Sequence, residues 1–139
     1  MVFISVTRLQ LRSFRFLPVF LWTNSSIVRS VPKTPGFLGG KLLVDAKNAF
    51  WTMTTWKDQA SMRAFRGSGA HGRSMARLAN WCSETAVVHW ESENDQLPDW
   101  ITARQRLIND GRFSPVTYPS EDHIAHRVRE PRPRMETKL

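Results

Sequence analysis

Cysteine occurs once in the 139 residues, at Cys82, which excludes an internal disulfide and a cysteine-built zinc cluster and leaves nothing that demands an oxidising compartment. A membrane-length apolar run is also missing. The longest uncharged stretch, FLPVFLWTNSSIV, is broken by polar residues and preceded by Arg8, Arg12 and Arg15, so it reads neither as a span nor as a secretory signal, and a cytoplasmic location is expected. Carboxylates are scarce where the core formers are, with 12 Lys and Arg against 4 Asp and Glu in residues 1–91, and no pair of catalytic carboxylates is visible there. Also absent are a GxSxG nucleophile elbow, a phosphate loop and a dinucleotide fingerprint; the glycines of GFLGGK suit a close strand approach instead. No internal repeat is found.

What is present is a core. A hydrophobic fraction of 41%, with six tryptophans and eight phenylalanines, is too rich for a disordered chain, and the length suits one domain with an appended tail. The net charge of +8 invites a nucleic-acid reading, so its position matters. Residues 92–120 carry 3 basic against 4 acidic side chains and residues 121–139 carry 5 against 4, which leaves the excess spread over the folded part rather than gathered in a recognition helix or arm. Nucleic-acid binding is therefore not the expected role.

Hydrophobic period supplies the elements. Val2 to Arg8 alternates as a first strand, with Phe3, Ser5 and Thr7 on one face and Val2, Ile4 and Val6 on the other. Downstream of Pro18, residues Phe20, Leu21, Asn24, Ile27, Val28 and Val31 recur at helical spacing up to Pro32. GFLGGKLLVD and NAFWTMTTW read as two strands joined near Asp45 to Asn48, and in the second Phe50, Thr52, Thr54 and Trp56 share a face. Asp58 caps a short helix with Met62 and Phe65, a second helical segment runs from Ala70 to Cys82, and ETAVVHWE closes as a strand.

The order βαββαβ predicts an α+β, ferredoxin-like domain over residues 1–91, with an antiparallel four-stranded sheet and helices on one face. Both faces of the strands are apolar, so a second cover is required, most cheaply another copy of the sheet; a homodimer is expected. Residues 92–139 read as a polar linker, a helix from Pro98 to Asn109 with Trp100, Ala103, Leu107 and Ile108 on its sticky side, and an extended or disordered tail.

The stretch TMTTWKDQASMRAFRGSGAHGRSMARLANWCSE resembles the antibiotic-biosynthesis-monooxygenase-like dimeric α+β barrels, in particular the branch related to spheroidene (carotenoid) monooxygenase. That resemblance implies a barrel of two sheets and a cavity between helices and sheet in each chain. It places Phe3, Ser5 and Thr7, Asn24, a face of the third strand and the segment from Phe65 to Met75 on the cavity walls. Heme-degrading members of the family carry an Asn, a Trp and a His where this chain has Thr7, Phe65 and Met75, so heme degradation by their route is not implied.

The candidate polar groups follow. His71 falls on an apolar helical stripe with Met75, Leu78 and Cys82, and it suits a helix-start histidine bonded to its surroundings, a proton-transfer group in the cavity or an axial ligand through which heme would be held. Asn24, an amide on an apolar stripe, is either a structural tie or a ligand-binding group. Trp51, Trp56, Trp81 and Trp90 suit core or interface positions, and His89 a surface or dimer contact. His123 and His126 have metal-ligand spacing but no third ligand in view, and Cys82 reads as a buried, inert thiol.

The expected function is that of a monooxygenase-like oxidoreductase that takes a hydrophobic aromatic or polyene molecule. His71 is its expected catalytic residue, and Asn24, Thr7, Ser5, Phe65, Met75 and Trp56 are the expected ligand contacts. No metal site is expected. The rival expectation is a non-catalytic dimeric binding or interaction protein.

Overall fold

The computed structural model describes residues 1–67 and 77–139. Alternation in VFISVTRLQL extends β1 over Val2–Leu11. Pro18, whose fixed φ suits a first helical turn, opens α1 (Leu17–Ser30). A hairpin follows, of β2 (Phe37–Asp45) and β3 (Ala49–Trp56), whose tight corner holds Lys47 and Asn48 at φ of 61° and 60°. The buried Asp45 carboxylate organises this corner: it accepts from the Ala46 backbone N–H at 2.8 Å and from the Trp51 indole N–H at 2.9 Å. Asp58 then caps α2 (Gln59–Arg66), its carboxylate accepting from the Ser61 N–H at 2.8 Å.

A helical stretch over 77–81 leads into β4 (Cys82–Ser92). The helix expected to reach Cys82 stops one residue short, because Cys82 pairs with Leu11 as the first residue of β4. Full burial there pushes its thiol pKa up to about 12. The remainder of the chain forms α3 (Trp100–Asp110, capped by Asp99), the two-residue β5 (Arg112–Phe113), the short α4 (Glu121–Ile124) and β6 (Pro133–Lys138).

The sheet runs β5-β4-β1-β3-β2-β6 with every pairing antiparallel. Its inner four strands have the expected ferredoxin-like order. Six strands rather than four is a correction, and both additions come from the segment beyond residue 92. The outer strands of a four-stranded sheet leave rows of unpaired backbone donors and acceptors, which β5 and β6 satisfy. Alternation could not reveal β6, since none of its six side chains is buried.

The two faces of the sheet are covered differently. Ile4, Val6, Leu43, Trp51, Met53, Ala86 and Val88 form one face, and they pack beneath Ala103 and Leu107 of α3 and Val128 of the tail. The second cover, expected from another copy of the chain, is thus supplied by the chain itself, because Trp100, Ala103 and Leu107 repeat at helical spacing; Ile108 stays exposed. Polar contacts fasten the tail further. Arg8, 2% exposed, donates through Nη1 to Glu84 Oε1 at 2.7 Å, while Glu84 Oε2 accepts from Ser120 Oγ at 2.9 Å. Trp100 Nε1 donates to Glu136 Oε1 at 2.7 Å and ties α3 to β6.

Leu107 is fully buried, so Leu107→Ala should lower the unfolding free energy by about 2–5 kcal/mol in a urea titration. Glu84→Gln would leave the Arg8 guanidinium buried without its counter-charge. A loss of about 3–5 kcal/mol is expected, much of it recovered in the Arg8→Met, Glu84→Leu double variant.

Candidate functional site

The other face of the same strands is built from smaller residues. Along β1 the side chains alternate between Ile4 and Val6 on the α3 side and Ser5 and Thr7 on the α1 side; along β3, Trp51 and Met53 alternate with Thr52 and Thr54. Ser5 stands directly opposite Thr54 and Thr7 opposite Thr52. Four short hydroxyl side chains therefore meet at the middle of the sheet. The helices resting on its rim, through Phe20, Ile27 and Val31 at one side and Met62 and Phe65 at the other, cannot collapse onto this floor. A cavity of about 180 Å³ remains.

Its lining contains five of the seven expected catalytic and ligand-contact residues, Ser5, Thr7, Asn24, Trp56 and Phe65, whereas Phe3, also expected on the wall, is instead buried in the cluster with Val31 and Met62. His71 and Met75 lie outside the described residues. Asn24 comes from the inner face of α1, and among the described residues neither its amide nor the hydroxyls of Ser5, Thr7 and Thr52 are engaged by a hydrogen-bonding partner. Trp56 differs. It is fully buried, its indole N–H donates to Thr54 Oγ1 at 2.9 Å, and its ring lies 5.4 Å from that of Phe65, so it offers a ligand an apolar wall.

Several wall residues were not foreseen. Thr23, Thr85, Ser114 and Leu139 also line the cavity. Leu139 packs beside the cluster of Phe3, Val31, Trp56, Met62 and Phe65, and its N–H donates to the Gly40 carbonyl at 2.9 Å. The helical spacing of Thr23 was readable; the arrival of Ser114 and Leu139 depends on how the tail returns. Arg66 at the end of α2 has the only ionisable side chain among the described wall residues, which include no Asp, Glu, His, Cys or Tyr. The described walls offer a heme iron no imidazole, thiolate or phenolate, and His71, the axial ligand expected for it, lies outside the described residues.

The remaining histidines have other surroundings. His89 is exposed on β4 beside Phe3, and partial burial followed by the nearby Arg66 cation lowers its pKa. His126 stacks on Phe113 with ring centres 4.6 Å apart. His123 is buried, and its Nδ1 accepts from the Thr85 N–H at 3.4 Å. Both rings thus fasten the tail, and among the described residues no three metal-ligating side chains converge.

A family model described as a domain of unknown function, DUF3291, matches residues 28–111. The chain belongs to the DUF3291 family. No curated protein matches this DUF3291 chain. Solved structures do: a conserved protein from Methanosarcina mazei Go1 superposes with a TM-score of 0.60 at 14% identity, covering 67% of this chain and 94% of its own. An antibiotic biosynthesis monooxygenase reaches 0.59 at 16% identity, with 68% and 100% covered. A variant of SnoaB, a cofactor-independent oxygenase from Streptomyces nogalater, reaches 0.51 at 19% identity, with 70% and 98% covered. At these identities the likeness is one of fold, and the DUF3291 chain has the antibiotic-biosynthesis-monooxygenase-like α+β fold.

Burial lowers the His123 pKa from its ordinary 6.5, and His126 adds to this against the opposing pull of Ser114 and Glu84. The docked tail therefore favours neutral imidazole. Its contribution is complete above pH 6.5 and is lost as the pH falls below that value through the folded pKa. The protection of the Thr85 amide against hydrogen exchange, corrected for the intrinsic pH dependence of exchange, should fall as the pH drops below 6.5, a fall that His123→Gln should abolish.

Proposed function

We propose that the cavity between α1 and the sheet binds a small aromatic molecule bearing neutral oxygen substituents, and that the protein acts on it as a monooxygenase-like oxidoreductase. The observation that carries this reading is the floor of hydroxyls, Ser5, Thr7 and Thr52, unengaged among the described residues, facing the Asn24 amide inside largely apolar walls. Hydroxyls and an amide both donate and accept, so they suit phenol, ketone or quinone oxygens better than a carboxylate or an amine. Volume narrows the class. A cavity near 150 Å³ accommodates a benzene ring, so about 180 Å³ suits a compact ring system. An extended polyene would have to leave the cavity, which weakens the link to the carotenoid branch.

In this reading His71 is the proton acceptor, Asn24 and the hydroxyl floor orient the ring oxygens, and Trp56 with Phe65 forms the flat wall. Residues 1–91 supply most of the site, and residues 92–139 brace it and add Ser114, Pro115 and Leu139 to its wall. The same wall composition favours a second reading. Arg66 has the only ionisable side chain among the described wall residues, and without a proton acceptor the protein would be a non-catalytic binder of the same molecules.

Thermal-shift and calorimetric titration with one- and two-ring phenols and quinones should reveal binding to the intact protein. Thr7→Val with Asn24→Leu should weaken it about tenfold or more, and Thr52→Phe should abolish it. Unaltered affinity in these variants would overturn the assignment of the site. With a binding compound in hand, oxygen uptake that disappears in His71→Ala while affinity persists supports the oxidoreductase; binding with no uptake by the unaltered protein supports the binder.

A further inference from the structure

Helix α1 has a second face that the cavity does not use. Phe20, Asn24 and Ile27 face inward, whereas positions 15, 18, 22, 26 and 29, at steps of three and four residues, bring Arg15, Pro18, Trp22, Ser26 and Arg29 to the outside. Trp22 is 82% exposed, and Phe14 in the preceding turn is 72% exposed. Leu21 and Val19 flank them in solvent. Scattered exposed apolar side chains are ordinary, but a Trp, a Phe, a Leu and a Val within nine residues form a patch.

Charge distinguishes the occupants such a patch could take. Residues 1–44 contain six Lys and Arg and no Asp or Glu. The first carboxylate in the chain, Asp45, is buried and held by Ala46, Trp51 and Arg132. A second copy laid on this face would set Arg15 and Arg29 against the same arginines with no acidic partner between them. A nucleic acid would satisfy the arginines but leave Pro18, Val19 and Leu21 in water. An anionic bilayer surface meets both needs, since its phosphates pair with guanidinium groups while Trp and Phe enter the boundary between headgroups and acyl chains.

We propose that the outer face of α1, led by Trp22 and Phe14 and flanked by Arg15 and Arg29, docks this protein on anionic lipid surfaces. The attachment is peripheral: among the described residues no helix is long and apolar enough to cross a membrane. It holds whatever the cavity binds.

Sedimentation of the full chain with vesicles tests this, using phosphatidylcholine alone or mixed with one third phosphatidylserine. Binding is expected to the anionic vesicles alone and to weaken as salt is raised. Trp22→Ser and the Arg15→Ser, Arg29→Ser pair should each reduce partitioning roughly tenfold or more. Circular dichroism should not change, since these side chains are exposed. Three results would overturn the proposal: no partitioning to anionic vesicles, partitioning that Trp22→Ser leaves intact, or no vesicle binding together with a dimer or an oligonucleotide complex that Trp22→Ser disrupts. The last would reassign the face to a second copy or to nucleic acid.

Discussion

An antiparallel sheet with apolar side chains on both faces has to be covered twice, and the rest of this structure follows from how the two covers differ. On one face Trp51, Met53, Ile4 and Val6 stand tall enough to meet α3, and the contact closes into a continuous core. On the other, the mid-strand positions of the same two central strands are Ser5 and Thr7 of β1 and Thr52 and Thr54 of β3, and the covering helices rest on the larger side chains around them. A difference of a few atoms per side chain, repeated at period two, turns one interface into packing and the other into a cavity.

The α3 side sets the rigidity of the site as well as its stability. Because Ala103 and Leu107 press on the back of β1, β3 and β4, the hydroxyl-bearing face is held by strands whose other side is fully packed. The Arg8–Glu84 ion pair and the His123 contact link the tail to β1 and β4, and Leu139, arriving with β6, contributes to the front wall. Residues 112–139 thus touch both the brace and the site.

Membership of DUF3291 and the fold likeness to oxygenases define an architecture with a cavity between α1 and the sheet. They do not define the chemistry, since one fold carries many reactions. What distinguishes this chain is the wall itself: neutral donors and acceptors, one cation at the rim and aromatic sides.

Sequence alone determined the inner βαββαβ order, the cap at Asp58, and the side of β1 on which Ser5 and Thr7 lie, because period and capping are local properties carried by neighbouring residues. It also marked Asn24 as an amide facing inward on α1. Tertiary structure alone decided that α3 packs on the second apolar face, since a sticky helix side is equally consistent with several partners. It likewise decided that β5 and β6 extend the sheet: they are bound through backbone hydrogen bonds that any side chain allows, and β6 buries no side chain that could have announced it. The closing of the cavity by Leu139, remote in the chain from every other wall residue of β1 and α1, is a product of that same long-range pairing.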